Sequence, residues 1–214
     1  MKGHFITLEG GEGAGKTTIL PSLASKLEAK GYDVLVTREP GGIEIAEKIR
    51  HIILDATHTE MDARTEALLL AAARRQHLIE KVLPALDQGK LVLCDRFIDS
   101  SLAYQGCARE IGMDDVMMIN QFAIQECMPD LTLLFNIRPE DGMKRISTNK
   151  REQNRLDMED MTFHDKVYDA YQILVERYPE RIRVVDANKP IETVENAALE
   201  VIKSYFQNIK EGLK

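Results

Sequence analysis

The chain has 214 residues, of which 44% are hydrophobic and 29% charged, a composition typical of one globular domain and too apolar for a disordered chain. No apolar run approaches the roughly 20 residues that span a bilayer, and the N-terminus lacks the apolar stretch of a signal peptide, so we expect neither membrane insertion nor secretion. The net charge of −7 argues against a general nucleic-acid binder, which would need basic side chains for its phosphate contacts.

Short apolar runs alternate with helix-length segments along the chain. Five runs rich in valine, isoleucine, leucine or phenylalanine are predicted strands, at 4–9, 33–37, 91–95, 131–137 and 182–186. The predicted helices lie at 16–30, 43–54, 65–87, 114–126 and 162–177, and a last one begins near 191. This alternation predicts an α/β fold, with a five-stranded parallel sheet, helices on both faces and a ligand site at the carboxyl ends of the strands. We expect one domain over 1–214, with a short insertion at about 147–158.

Charge and cysteine content give two further expectations. Cys94, Cys107 and Cys127 are an odd number of cysteines without metal-ligand spacing, which favours reduced thiols in a cytoplasmic protein. Residues 144–157 carry five cations against two acids and form a basic patch on an acidic protein. This patch suggests that the chain meets a small anionic ligand locally.

The segment after the first predicted strand fits the phosphate-binding pattern GxxxxGK[ST] without a mismatch and opens a helix. Its residues are Gly10, Gly11, Glu12, Gly13, Ala14, Gly15, Lys16 and Thr17. Backbone N–H groups and the helix N-terminus attract a phosphate, and Lys16 reaches the β- and γ-phosphates of a nucleoside triphosphate. The Thr17 hydroxyl is placed to bind Mg²⁺. The motif therefore predicts a P-loop NTPase fold with three layers.

The third predicted strand ends in Asp95, a typical position for a carboxylate beside the metal, and Arg96 follows it. A cation there can neutralise the charge that builds up during phosphoryl transfer. Arg38, Arg50 and Arg74 lie near the same predicted sheet edge and favour an acceptor that already carries phosphate. Such an acceptor needs no general base, because a phosphomonoester is largely ionised near neutral pH.

A GTPase switch is the first competing class, because it shares the phosphate-binding loop. It needs a guanine-reading Asn-Lys-x-Asp segment, and the nearest match, at 188–191, lacks the aspartate. A large mechanochemical ATPase would need a longer chain than 214 residues. These observations favour a small-molecule kinase.

Five segments in order resemble the thymidylate kinase family, its bacterial form in particular. They lie at 10–18, 37–42, 95–97, 100–106 and 154–157, so the resemblance spans essentially the whole chain. The resemblance implies transfer of the γ-phosphate of ATP, with Mg²⁺, to dTMP, giving dTDP for dTTP synthesis, and it suggests a homodimer packed through helices. A kinase for another nucleoside monophosphate such as dUMP is the nearer alternative, and a P-loop ATPase or switch protein is the farther one.

The resemblance also implies roles around the sugar and the phosphates. Glu12 would face the acceptor sugar near its 3′-hydroxyl, and Tyr104 would crowd the 2′ position and favour deoxyribose. Arg96 would bridge the donor and acceptor phosphates, with Asp95 and Thr17 beside the metal.

At the base, the resemblance implies that Arg74 contacts the thymine edge and that Ser101 and Gln105 hydrogen-bond to the base or position it. The family is expected to stack an aromatic ring on thymine from the long helix, whereas this chain has Leu70 there. The implied acceptor pocket is completed by Arg38, Glu39, Arg50 and Ser100.

On the donor side, the resemblance makes the basic insertion a lid that closes over ATP. Gly13 stands where some relatives carry a loop arginine, so the lid cations Arg151 and Arg155 would supply charge to the transition state. Thr18 would also contact ATP, and the adenine would rest against the turn that contains Asn188.

Overall fold

The structure, a computed structural model, describes residues 2–148 and 155–212. Its five strands are all parallel and form one sheet in the order β2-β3-β1-β4-β5. The strands are β1 (His4–Glu9), β2 (Val34–Arg38), β3 (Leu91–Asp95), β4 (Leu131–Asn136) and β5 (Ile182–Asp186). The predicted α/β fold is confirmed, and β1, β3 and β5 match their predicted bounds to the residue.

Helices cover both faces of the sheet. They are α1 (Lys16–Glu28), α2 (Glu44–Leu54), α3 (Ala63–His77), α4 (Leu83–Asp87), α5 (Ile98–Ser101), α6 (Met113–Ile124), α7 (Pro139–Thr148), α8 (Met161–Arg177) and α9 (Ile191–Lys210). Two π-helical segments, Leu78–Val82 and Leu102–Ala108, continue α3 and α5. None of the helices within 2–148 and 155–212 is long and apolar enough to cross a membrane.

Two apolar cores lie on opposite faces of the sheet. Successive side chains of a strand point to opposite faces, so Phe5 of β1 packs in one core while Ile6 and Leu8 pack in the other. The core around Phe5 includes buried side chains of α4, α5, α6 and α8, and the core around Ile6 includes those of α1 and α9. The result is the three-layer arrangement that the alternating sequence predicts.

The prediction of one uninterrupted helix over 65–87 was wrong in detail. The proline ring of Pro84 leaves its nitrogen without a hydrogen to donate, so the regular helical hydrogen bond to the residue four positions earlier cannot form there. The preceding turn widens, and Leu83 N donates to Leu78 O, five residues back. Pro84 therefore explains the π-helical segment between α3 and α4.

The sequence reasoning did not predict α7 or the helical segment Ile98–Ala108. Gly142 lies in the middle of α7, and glycine disfavours a helix by about 1 kcal/mol. Tertiary contact overrides this preference, because Gly142 packs against the backbone of the phosphate-binding loop. The basic stretch that we expected to be an insertion therefore begins inside a helix that contacts the loop.

Candidate active site

A cavity of about 930 Å³ opens at the carboxyl ends of the strands, where the parallel topology places a ligand site. This volume is at the upper end of the range for pockets that bind small molecules. Eighteen of the predicted site residues line it: Glu12, Gly13, Ala14, Gly15, Lys16, Thr17, Thr18, Arg38, Glu39, Arg50, Leu70, Arg74, Asp95, Arg96, Ser100, Ser101, Tyr104 and Gln105. The segments that the sequence reasoning combined thus meet at one place.

The phosphate-binding loop has the tight backbone that its glycines allow. Gly13 and Gly15 have φ values of 71° and 85°, in the left-handed region that favours glycine. A Cβ atom on Gly13 would lie 2.1 Å from the carbonyl oxygen of Gly142, so position 13 has no room for a side chain while α7 packs here. The contact between the two glycines therefore fixes the distance between the loop and α7.

Lys16 lies buried beneath this loop. Its Nζ donates hydrogen bonds to the carbonyl oxygens of Gly10 (2.9 Å) and Gly11 (3.0 Å). Burial, and then the nearby charge of Arg96, lowers the pKa of Lys16 to about 8. The ammonium group is thus held within the loop, at the N-terminus of α1.

Thr17 and Asp95 meet across the sheet edge. Thr17 Oγ1 donates a hydrogen bond to Asp95 Oδ2 at 2.9 Å, although the two residues are 78 positions apart. Asp95 Oδ1 is buried, and within the described ranges it has no hydrogen-bond partner. A buried carboxylate oxygen without a partner beside a threonine hydroxyl fits the hard oxygen ligands that Mg²⁺ prefers.

Arg96 lines the cavity and has a strained backbone conformation. Its φ of 69° is rare for a residue with a side chain and occurs mainly where the surroundings enforce it. Its guanidinium donates to Gly10 O (3.0 Å), Ser100 Oγ (3.2 Å) and Glu12 Oε1 (2.6 Å), and it lies over the ring of Tyr104. The sharp turn after β3 therefore aims the arginine at the phosphate-binding loop.

Glu9, at the end of β1, accepts hydrogen bonds from the turn after β3. The sequence reasoning did not predict a role for it. One carboxylate oxygen of Glu9 accepts from Phe97 N (2.7 Å), and the other accepts from Ser100 Oγ (2.6 Å) and Tyr171 OH (2.9 Å). Burial, reinforced by the charge of Asp99, raises the pKa of Glu9 to about 7. The cost of burying this carboxylate is offset by three hydrogen bonds that position the residues around Arg96.

Two further arginines face the same cavity from β2 and α2. Arg38 Nη2 donates to Glu47 Oε1 at 2.7 Å, and Arg50 Nη1 donates to Pro40 O at 3.2 Å. Burial, and then the neighbouring charge of Arg38, lowers the pKa of Arg50. Two guanidinium groups that repel each other beside a cavity are suited to bind an anion.

A buried network of hydrogen bonds links β2 and α3 beside Arg38 and Arg50. Glu39 accepts from Arg74 Nε (2.7 Å) through one oxygen, and its other oxygen contacts His77 Nδ1 (2.9 Å). His77 Nε2 contacts Thr37 Oγ1 at 2.7 Å. Arg74 also donates to Ser101 Oγ (3.1 Å), to the Asn120 side chain and to Phe97 O (3.0 Å). These bonds fix Arg74 in place before any ligand contacts it.

Gln105 and Leu70 line the far end of the cavity. Gln105 Nε2 donates to Glu66 Oε1 at 2.7 Å, and both side chains are buried. Leu70 is on α3, one turn before Arg74. The end of the cavity opposite the phosphate-binding loop thus combines an apolar side chain with one fixed amide.

The structure does not bring every predicted residue to the cavity. Gly10 and Gly11, at the start of the loop, do not line the cavity, and their carbonyl oxygens accept hydrogen bonds from Lys16. The amide of Asn188 contacts Asp186 in its own turn. Arg155 donates to Ile53 O on α2 (2.9 Å) and to the carboxylate of Glu66 on α3. Arg151 lies outside the described residues.

Arg145 is a further cavity residue to which the sequence reasoning gave no role. Its guanidinium donates to the carbonyl oxygens of Ala187 (2.9 Å) and Gly13 (3.5 Å), so it joins α7 to the loop and to the turn after β5. It was counted in the basic patch at 144–157. Its position beside the loop could not be predicted from the sequence, because α7, the helix that carries it, was not predicted.

Comparisons with known proteins agree on one family. The sequence model described as thymidylate kinase matches residues 8–198. The thymidylate kinase of Oceanobacillus iheyensis is 60% identical over 213 residues, 99% of this chain and 95% of that relative. The one from Bacillus velezensis is 58% identical and covers 98% of this chain and 100% of its own. The crystal structure of thymidylate kinase from Ehrlichia chaffeensis aligns with a TM-score of 0.77 and 30% identity, covering 95% of this chain and 99% of that one.

Proposed function

The chain belongs to the thymidylate kinase family, and on that basis we propose that it transfers the γ-phosphate of ATP to dTMP, giving dTDP and ADP for dTTP synthesis. One observation of the site supports this most strongly. Arg96 lies between the phosphate-binding loop, through its bond to Gly10, and the acceptor side, through Ser100. A cation between two phosphate sites suits the transfer of a phosphoryl group from one to the other.

The proposed mechanism is alignment and charge neutralisation rather than proton abstraction. Lys16 would hold the β- and γ-phosphates of ATP, and Arg38 and Arg50 would hold the phosphate of dTMP. Arg96 would neutralise the negative charge that is shared between attacking and leaving oxygens. Because the acceptor oxygen is already ionised near neutral pH, the residues need only to bring it in line with the γ-phosphate.

Mg²⁺ fits the pair formed by Thr17 and Asp95. We propose that the threonine hydroxyl and the Asp95 carboxylate hold the ion on the donor side. When bound, it would neutralise charge on the β- and γ-phosphates. The described residues contain no cluster of three histidine, cysteine or acidic side chains suited to a metal, so the remaining ligands would come from phosphates and water, as is usual for Mg²⁺.

Selection of the nucleoside would depend on Tyr104 and the residues at the far end of the cavity. The hydroxyl of Tyr104 donates to Glu12 Oε1 at 3.1 Å, which fixes the ring where the sugar would lie. We propose that the hydroxyl end of the Tyr104 side chain rejects a 2′-hydroxyl. Arg74, Ser101 and Gln105 would read the base, and Leu70 would pack on its face. Packing on an aliphatic side chain replaces the stacking geometry of an aromatic ring.

The charge over the donor phosphates would come partly from the lid. Position 13 has no room for an arginine, which supports a contribution from the other side of ATP. Arg151 and Arg155 are the proposed cations, and the adenine would lie against the turn of 187–190, near Asn188. Arg155 would have to leave Glu66 to reach ATP, so its contribution would depend on movement of the lid.

We propose that the protein works in the cytoplasm, where its cysteines would stay reduced.

We also propose that two copies of the chain associate through α2, α3 and α6. α3 packs against both α2 and α6, and all three helices carry exposed apolar side chains. Phe122 is 90% exposed, Met118 one turn earlier is 62% exposed, and Leu68 on α3 is 56% exposed. Large apolar side chains that are exposed on helices packed side by side are typical of an interface. Sedimentation of the wild type and of Phe122→Ser tests it, with a dimer expected for the former and a monomer for the latter.

The experiment that tests the proposed activity is ADP release with ATP and Mg²⁺ against single acceptors. The panel contains dTMP, dUMP, the ribonucleotide of thymine, dGMP, AMP, CMP and a sample without acceptor. We expect release that depends strongly on dTMP. Equal release without an acceptor would indicate a hydrolase or switch protein, and equal release with dUMP would indicate a broader pyrimidine kinase.

A further inference from the structure

Glu66 is a buried carboxylate on α3 that contacts the base end of the cavity through another residue. Its Oε1 accepts the hydrogen bond from Gln105, and its Oε2 accepts hydrogen bonds from Arg155 and from Arg109 (3.4 Å). Arg109 is itself held by Glu159 at 2.5 Å. Two guanidinium groups therefore hold the carboxylate in one place.

This carboxylate decides which way the Gln105 amide faces. An ionised carboxylate accepts hydrogen bonds and donates none, whether or not Arg155 stays beside it, so Gln105 must turn its NH₂ group toward Glu66. The amide oxygen then faces away from Glu66. Gln105 lines the cavity, and its Nε2 is committed to the bond with Glu66.

We propose that Glu66 is a specificity-determining residue for the acceptor base, because it makes Gln105 present a hydrogen-bond acceptor to the base. The inference rests on the proposed function. The ring nitrogen N3 of thymine carries a hydrogen and donates, whereas N3 of cytosine accepts. The fixed oxygen of Gln105 therefore pairs with thymine and opposes the lone pair of cytosine, which leaves two acceptors unpaired in a buried site. Glu66 acts through Gln105 and is a positioning residue.

Glu66→Gln tests this by removing the constraint on the amide. A glutamine at position 66 offers both an oxygen and an NH₂ group, so Gln105 can adopt either orientation. We expect the ratio of kcat/KM for dTMP to kcat/KM for dCMP to fall by about tenfold. An unchanged ratio in a folded variant would overturn the proposal, and a merely structural role would lower kcat/KM for both substrates by the same factor.

A second variant is needed in case Glu66→Gln does not fold, because it removes the buried negative charge that Arg155 and Arg109 contact. Glu66→Asp keeps the charge and withdraws the carboxylate from Gln105 by one methylene group. The same fall in the ratio is expected, and circular dichroism checks the fold of both variants. A folded Glu66→Asp variant with the wild-type ratio would also overturn the proposal.

Arg109→Gln is the matched control. It removes one of the cations that hold Glu66 but leaves the hydrogen bond between Glu66 and Gln105, so the ratio should not change. In a Gln105→Leu background, adding Glu66→Gln should also leave the ratio unchanged, because the amide through which Glu66 acts is gone. A further fall in that double variant would show that Glu66 acts by another route.

The wild-type reaction with dTMP separates the two proposals. If the wild type does not phosphorylate dTMP, the proposed function itself is wrong. If it does so and both Glu66 variants keep the wild-type ratio, the proposed function stands and the role of Glu66 is wrong.

Discussion

The donor end and the acceptor end of the cavity are built in different ways. The donor end is a continuous segment, 10–17, whose backbone and one lysine side chain would surround the phosphates of ATP. The acceptor end is assembled from side chains of β2, α2, α3 and the helical segment Ile98–Ala108. Its central pair, Glu39 and Arg74, is 35 positions apart and fully buried.

The difference predicts which properties a substitution changes. Side chains at the donor end contact loop carbonyls, so removing one should affect catalysis more than folding. Side chains at the acceptor end hold one another through buried charges, so removing one should affect folding and substrate choice together.

Lys16→Ala should give the largest loss of activity and little loss of stability. The variant lacks the cation that would stabilise the transferring phosphate, so we expect kcat/KM for ATP to fall by about a thousandfold. Thermal unfolding should stay close to wild type, because the hydrogen bonds that are lost join Lys16 Nζ to two neutral loop carbonyls and not to a buried carboxylate. Lys26→Ala, which changes a more exposed lysine on α1, is the control. Unfolding of Lys16→Ala at room temperature would contradict the distinction between the two ends.

Glu39→Gln should behave in the opposite way. Arg74 and His77 lose their buried charged partner, so we expect the free energy of unfolding in urea to fall by at least about 3 kcal/mol. The matched change at a more exposed ion pair, Glu47→Gln opposite Arg38, should lower it by less than about 1 kcal/mol. Equal effects of the two substitutions would show that the buried network does not hold the acceptor end.

Tyr104→Phe should relax the choice of sugar. The variant loses the hydroxyl that donates to Glu12 and gains space for one oxygen atom, so the ribonucleotide of thymine should gain about tenfold in kcat/KM relative to dTMP. Tyr168→Phe, on a ring that packs against Arg138, is the control. Rejection of ribose at the wild-type level would disprove the role of Tyr104.

The pH dependence of ATP use should show the low pKa of Lys16. The protonated form binds phosphate, so kcat/KM for ATP should decline as the pH rises and reach about half its plateau near pH 8, because kcat/KM reports ionisations of the free enzyme. Lys16→Arg keeps its charge in this range and should remove the decline, whatever its plateau. A wild-type profile that stays flat to pH 9 would show that Lys16 is not the titrating group.

The donor end could be predicted from the sequence because its chemistry is local. The spacing of glycines, Lys16 and Thr17 within eight positions defines the loop, and the apolar run before it defines β1. The buried parallel strands were equally visible, since each is a short continuous apolar run bounded by turn residues. Asp95 could be placed beside Thr17 because parallel strands end at the same edge of the sheet.

The positioning residues of the acceptor end could not be found in this way. Glu9, Glu66 and His77 are polar residues inside predicted strands or helices, where nothing local distinguishes a buried residue from an exposed one. Their partners are far away in sequence, as in the bond from Gln105 to Glu66 across 39 positions and from Ser100 to Glu9 across 91. Such pairs become visible only when the packing of the elements is known.

The most direct test of both ends of the cavity is a competition between acceptors in a single reaction mixture. ATP labelled at the γ-phosphate is incubated with the wild-type protein, Mg²⁺ and an equimolar mixture of dTMP, dUMP, dCMP and the ribonucleotide of thymine, and the labelled products are separated. Label that accumulates in dTDP would support a donor loop that delivers phosphate to an acceptor pocket built for thymine and deoxyribose. Label in inorganic phosphate, or spread evenly over the four diphosphates, would contradict it.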